Sequence, residues 1–295
     1  MQVNESQHKE IFSWSFESLQ GGRSENQDFY GYCETRDGSR LFVVCDGMGG
    51  MRGGSTASRE AVRIIIEDAA VSLELDSEKL LINALQKANS FIYQFGQSKE
   101  ELRGMGTTVV ALLINKEKAT VAHVGDSRIY QLRGRRKVFR TFDHSVVFEL
   151  VKQGRFTEEQ ARLSADSNLI SRALGMKPKV EIDINSDMSY RKGDRFMLCT
   201  DGISGAVEEQ KLLKMAATKK PAETAVKDIA AEIDHIGMAA GGGHDNLTIA
   251  LIDVNTNSKI SSIPNKKSKL VIIILSLLLL VSAGLNIYMY LCPKK

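Results

Sequence analysis

Four aspartates stand at the ends of apolar runs in this 295-residue chain: Asp46 after residues 41–45, Asp126 after 121–125, Asp201 after 196–200, and Asp245 before 247–252. Three of the four adjoin a glycine, namely Gly47, Gly125 and Gly202. A carboxylate at a strand mouth, beside a residue that lets backbone come close, suits a hard divalent cation such as Mg²⁺ or Mn²⁺, which takes oxygen ligands in near-octahedral geometry. One Asp-Gly pair at a strand end is ordinarily a turn. Four of them ask for a shared task. Other familiar chemistries are missing: there is no G-K-[ST], no H-E-x-x-H and no G-x-S-x-G, and Arg52 stands where a dinucleotide loop beginning at Gly47 needs its third glycine.

The elements that must position these carboxylates come in blocks. Residues 12–19, 29–35 and 41–45 read as strands, 54–70 and 78–95 as amphipathic helices with Asp76-Ser77 as a cap before the second, and 107–114, 119–124, 127–133 and 137–141 as strands. Residues 143–153 and 157–163 look helical, 180–184 and 195–199 strand-like, 208–218 and 222–236 helical, and 246–254 closes as a strand. Blocks of this kind, with no repeat of 20–50 residues, predict an α+β architecture with antiparallel sheets and helices outside them.

The residues around the aspartates carry a resemblance. Gly22-Arg23-Ser24-Glu25-Asn26-Gln27-Asp28, Val44-Cys45-Asp46-Gly47-Met48-Gly49-Gly50, Gly104-Met105-Gly106-Thr107-Thr108, His123-Val124-Gly125-Asp126-Ser127-Arg128, Asp143-His144-Ser145, Ser171-Arg172-Ala173-Leu174-Gly175, Thr200-Asp201-Gly202 and Gly243-His244-Asp245-Asn246-Leu247-Thr248 follow one another. In order and spacing they resemble the motif series of the metal-dependent type 2C protein serine/threonine phosphatases. The series covers residues 14–254, and the Met after Asp46-Gly47 together with segment 142–175 resembles the bacterial branch.

The resemblance implies a two-sheet antiparallel β-sandwich flanked by helix pairs, with a two-metal site at one edge. Asp46 would bridge two Mn²⁺ or Mg²⁺ ions, the Gly47 carbonyl would join it on one, and Asp201 and Asp245 would hold the other. Asp126 would serve a looser third ion. Asp28 and Asn246 would support these ligands through hydrogen bonds or water, and Arg23 would clamp the substrate phosphate. The implied reaction is attack by water activated between the cations, with no phosphoenzyme. Two departures matter. Met48 replaces a histidine common in eukaryotic relatives, leaving the acid for the departing oxygen unassigned, and Gln27 replaces a glutamate beside Asp28. His144 is the alternative acid by motif, weighed against a role at a helix start; His123 reads as structural and His244 as a loop residue. Segment 141–175, polar over much of its length, reads as a mobile lid that shapes the substrate groove.

Composition is that of a folded protein, 43% hydrophobic, 25% charged and only 4 prolines, which excludes a disordered chain, a collagen and a disulfide-rich miniprotein. The formal net charge of +3 belongs to the tail, since six of the 39 basic residues and no acidic residue follow Asp253, leaving 33 against 36 before it. A general nucleic-acid surface therefore has no support from net charge. The four cysteines are scattered and form no C-x-x-C pair, which favours thiols in a reducing compartment. Residues 1–11 are polar and show no secretory signal. The expected domains are thus that segment, the phosphatase domain over 12–254, a polar and basic linker over 255–269, an apolar span over 270–291 and a short tail over 292–295. The span is uncharged over 22 residues, flanked by Lys266, Lys267 and Lys269. At roughly 33 Å it matches a hydrocarbon core of about 30 Å, predicting a C-terminal transmembrane anchor with the catalytic domain in the cytoplasm. Expected partners are phosphoproteins, a cognate Ser/Thr protein kinase and the membrane. Two alternatives stay open: a catalytically weak membrane-bound phosphoprotein-binding scaffold, and a phosphatase of a transcription-regulator partner.

Overall fold

The computed structural model describes residues 11–49 and 53–256. The chain runs through β1 (Phe12–Leu19), β2 (Asp28–Glu34), β3 (Arg40–Met48), α1 (Gly53–Val71), α2 (Ser77–Ser98), β4 (Gly106–Thr107), β5 (Val109–Ile114), β6 (Ala119–Val124), β7 (Arg128–Arg133) and β8 (Arg136–Arg140). It continues through α3 (Val146–Lys152), α4 (Glu158–Arg162), β9 (Asp183–Met188), β10 (Asp194–Cys199), α5 (Asp201–Ser204), α6 (Glu209–Ala216), α7 (Ala222–Ala239) and β11 (Leu247–Val254). One sheet has the order β1-β11-β10-β7-β8, the other β2-β3-β5-β6-β9 with β4 against β3, and every pairing is antiparallel.

Strand β3 shows why four layers form. Its side chains alternate in direction, so Leu41, Val43 and Cys45 meet α1 and α2 while Phe42 and Val44 enter the space between the sheets. All five are buried, because a strand covered on both faces needs apolar residues at every position. Phe196, Leu198, Ala250 and Ile252 come from the other sheet into the same central layer. Met197, Cys199, Ile249 and Leu251 turn outward onto Val226, Ile229 and Ile233 of α7. Each such fully buried side chain contributes roughly 1.5–3 kcal/mol of transfer free energy. The expected α+β sandwich with helices on both outer faces is therefore the architecture found.

Several boundaries differ from expectation for local reasons. The strand expected over 107–114 breaks at Thr108, whose hydroxyl accepts from the backbone N–H of Asp46 and so leaves the ladder. The helix expected from Asp143 begins only at Val146, with Ser145 as its cap, since Asp143 is engaged by Arg128 and His144 by Gly125. The strand expected over 180–184 is found three residues later, because its partner β6 ends at Val124 and the first pairing available is His123 with Asp183. Asp76 does cap α2, accepting from the N–H groups of Glu78 and Lys79. Segment 141–175 is better anchored than its polarity suggests. Val147, Phe148 and Ala161 form a small buried core with Val151 and Phe156, and Arg140 ties Glu158 to it. The expected apolar span over 270–291 and the segments flanking it lie outside the described residues; among those described, no helix is long and apolar enough to cross a membrane.

Candidate metal centre and active site

The strand ends converge at one edge of the sandwich. Asp46, at the exit of β3, lies opposite Asp28 in the β2–β3 register. Its backbone is fixed from the side: its N–H donates to Thr108 Oγ1 at 3.0 Å, and its carbonyl accepts from Thr107 Oγ1 and Thr108 N, each at 2.8 Å. Thr108 in turn bonds Ser127, the residue after Asp126, at 2.7 Å. Glycine at position 47 is obligatory, because a Cβ there would lie 2.1 Å from the carbonyl oxygen of Gly54 at the start of α1. Asp201 opens α5 directly after β10, and Asp245 precedes β11. The two loops touch so closely that a Cβ on Gly202 would lie 2.0 Å from the Asn246 carbonyl oxygen.

Asn246 links these elements. Its Oδ1 accepts from Gln27 N at 2.9 Å, and its amide donates to the carbonyls of Gln20 and Glu25 at 2.7 and 2.9 Å. Asp28 is held by Thr200, whose hydroxyl donates to its Oδ2 at 2.9 Å, and Thr248 N donates back to that hydroxyl. The supporting threonines, at positions 107, 108, 200 and 248, were missed by sequence reasoning. Their signal was adjacency: Thr200 immediately precedes Asp201, and Thr107-Thr108 ends one of the motifs in the series.

Electrostatics in this cluster are unfavourable without a cation. Burial, followed by the charges of Asp201 and Asp245, pushes Asp28 up to about 7 against the bonds from Thr248 and Thr200. Burial and the neighbouring Asp28, Asp201 and Asp126 hold Asp46 well above the usual carboxylate range. Asp126 and Asp201 are raised for the same first reason, burial. Two buried carboxylate oxygens, Asp28 Oδ1 and Asp201 Oδ1, have no hydrogen-bond partner. Buried acceptors with no donor, set among other carboxylates, fit a divalent cation and little else.

Beside the cluster opens a cleft of about 880 Å³ lined by Arg23, Asp46, Met48, Asp126, Asp201 and Asp245. Asn168 and Ile170 reach it from segment 141–175, so that segment does border the site. The sequence pointed to this segment as one that shapes the groove, without giving either residue a role of its own. Arg23 stands at the rim, half-exposed, and donates to Asp245 Oδ2 at 2.8 Å.

The histidines fall elsewhere. His144 is neither the cleft's acid nor a helix cap: its Nδ1 accepts from Gly125 N at 3.1 Å, and its ring stacks on His123 at 4.6 Å. Burial, with His123 and Arg172 nearby, lowers it to about 4. His123 lies against the Phe142 carbonyl at 2.8 Å, and His244 against Asp234. His123, His144 and Asp183 do bring one ligand atom each within 4.8 Å of the others. That grouping already has a cation, since Arg172 Nη1 stands 2.6 Å from Asp183 and 3.3 Å from His144 Nε2.

Comparison with known proteins agrees with this geometry. The family described as Protein phosphatase 2C matches residues 19–236. The chain is 33% identical over 241 residues to the serine/threonine phosphatase stp of Listeria welshimeri, covering 80% of this chain and 93% of that one. It is 31% identical over 236 residues to the protein phosphatase PhpP of Streptococcus pneumoniae, covering 79% and 93%. The solved serine/threonine phosphatase of S. agalactiae superposes with a TM-score of 0.75 at 33% identity, over 82% of this chain and 99% of that one. The catalytic domain of the phosphatase PstP, solved in complex with 2 manganese ions, gives 0.69 at 29% identity over 83% and 98%. With the fold, the convergent aspartates and these relatives in agreement, the chain belongs to the protein phosphatase 2C family and is a protein serine/threonine phosphatase.

Proposed function

We propose that the chain removes phosphate from phosphoserine and phosphothreonine in proteins at a centre of two divalent cations, Mn²⁺ or Mg²⁺, opposing a Ser/Thr kinase at the membrane. Asp46, the Gly47 carbonyl, Asp201 and Asp245 would hold the cations, with Asp126 on a looser third. The observation that carries this is the pair of buried, unpartnered oxygens on Asp28 and Asp201 beside the cleft. Bound cations supply an activated water and neutralise phosphate charge. The protein's own groups do the rest. Thr107, Thr108 and Asn246 fix the ligand backbones, and Thr200 keeps Asp28 oriented for a supporting bond. Arg23, at the rim, can trade its contact with Asp245 for two phosphate oxygens. Among the described residues no histidine lines this cleft, while His244 lines the adjoining cavity that shares Arg23, Asp126, Asp201 and Asp245 with it.

Phosphopeptide hydrolysis with Mn²⁺, then with chelator, tests the chemistry together with calorimetric titration of Mn²⁺. Turnover that persists in chelator, or an absence of Mn²⁺ binding, would refute it. The uncharged run over 270–291, flanked by Lys266, Lys267 and Lys269, supports a membrane tether with the catalytic domain in the cytoplasm. Full-length chain should resist carbonate extraction, and protease added to intact cells should leave the domain uncut. Release by carbonate would remove the tether, and cleavage would reverse its orientation.

A further inference from the structure

The two ends of the sandwich differ in charge. At one end converge Asp28, Asp46, Asp126, Asp201 and Asp245. At the other lie the turns that close the opposite strand ends, where cations outnumber the carboxylates Glu34, Asp37, Glu117 and Asp187. Lys116 and Lys118 flank Glu117 in the β5–β6 turn, Arg191 and Lys192 precede β10, and Lys219 and Lys220 precede α7. Hydrogen bonds hold these turns together around the end of β11. Gly193 N donates to the Val254 carbonyl at 2.8 Å, Tyr190 Oη donates to the Asn115 carbonyl, and Arg195 donates to the carbonyls of Ala216, Thr218 and Lys220. Lys118 and Lys220 have acidic neighbours in Asp187 and Asp228; Lys116, Arg191 and Lys219 are exposed.

The chain leaves the described fold at this same end. Val254 is the last residue of β11, paired with Phe12, and the sequence after it carries Lys259, Lys266, Lys267 and Lys269 before the apolar run. Leu247, two residues after Asp245, starts that strand about 24 Å away at ~3.4 Å per residue.

We infer that the basic end of the sandwich, built from the turns around Val254, docks on anionic lipid headgroups and points the metal centre away from the bilayer. The inference rests on the membrane tether proposed above. Two features support it: the chain leaves the described fold at this end, and an anionic surface attracts these turns while repelling the carboxylate end. A tether alone would hold the domain nearby in every orientation. Docking selects one, and leaves the cleft open to soluble phosphoproteins.

The chain's single tryptophan reports on this. Trp14 is paired with Ile252, two residues from the exit. Full-length protein is incorporated into vesicles of phosphatidylglycerol or phosphatidylcholine containing a lipid with a nitroxide on its headgroup. Trp14 quenching should be stronger in phosphatidylglycerol and should fall at 1 M salt, where the screening length is about 3 Å. Combined Lys116→Glu, Arg191→Glu and Lys219→Glu should weaken docking at least about a hundredfold, at ~5-fold for each of the three cations lost, with the added carboxylates weakening it further. Aryl-phosphate hydrolysis should be unchanged, which shows that the variant folds. Equal quenching in the two lipids, or quenching insensitive to the reversals while carbonate leaves the chain in the vesicles, overturns docking and spares the tether. Release by carbonate overturns both. Capture of a duplex oligonucleotide by this face in preference to the anionic vesicles overturns lipid as its occupant.

Discussion

Arg128 and Asp143 offer a perturbation whose size can be worked from the structure. Arg128 Nε and Nη2 donate to the two oxygens of Asp143 at 2.8 and 2.6 Å, and both side chains are largely buried, 12% and 8% exposed. The guanidinium also reaches Tyr130 Oη at 3.2 Å and lies over the Phe148 ring at 5.3 Å. The pair therefore fastens the first residues of segment 141–175 to β7. Asp143→Ala leaves a buried guanidinium without its counter-charge, which costs about 3–5 kcal/mol. For a domain of this size each kcal/mol moves Tm by about 2–4 °C, so the expected fall is roughly 6–20 °C. Replacing both groups, Arg128→Met with Asp143→Leu, removes the buried charge and should recover most of that loss. Thermal unfolding followed by circular dichroism at saturating Mn²⁺ measures all three proteins. A single variant within about 2 °C of wild type, less than one kcal/mol, would show that Arg128 rehydrates through the adjacent cavity it lines; a double variant no better than the single would show that the loss is one of shape and not of charge.

Asp46→Asn should weaken Mn²⁺ binding by more than about a hundredfold in calorimetry, because losing a group that merely hydrogen-bonds a ligand already costs about 10–100-fold; near-wild-type affinity would remove Asp46 from the centre. In chelator, the pH dependence of stability follows from Asp28, raised from 3.8 to about 7. A carboxyl whose folded-state pKa is raised makes the fold less stable as pH climbs through that interval, so Tm should fall from about pH 4 to about pH 7, and Mn²⁺ should abolish the fall by favouring the charged forms. A metal-free Tm that rises with pH would contradict the burial argument. Arg23→Ala should raise KM for phosphopeptides about tenfold or more with little change in kcat, as expected for a charge-assisted contact made in ground and transition state alike. Steady-state kinetics with an unchanged KM would place the phosphate contact elsewhere.

Much of the site was legible in the sequence. Asp46, Asp126, Asp201 and Asp245 announced themselves through their place at strand ends, and β3 through a run apolar at every position. What the sequence concealed depends on partners distant along the chain. His144 lost its motif role because its Nδ1 is taken by Gly125, nineteen residues away. The start of β9 was displaced because β6, its partner, stops at Val124. Thr108 interrupts a continuous β pattern to serve Asp46, a residue 62 positions earlier. Polarity misled over segment 141–175, where a few apolar residues, Val147, Phe148 and Ala161, suffice for a core because two arginines anchor it from outside.

Strand β11 has a mechanical meaning as well. It lies between β1 and β10, antiparallel to both, with Asp245 at one end and the chain's onward course at the other. A pull on the residues after Val254 along the strand would load both hydrogen-bond ladders in shear, stressing many bonds at once instead of opening them one by one. The load is spread over the neighbouring strands before it reaches Asp245, so the aspartate cluster is insulated from a pull on the residues after Val254.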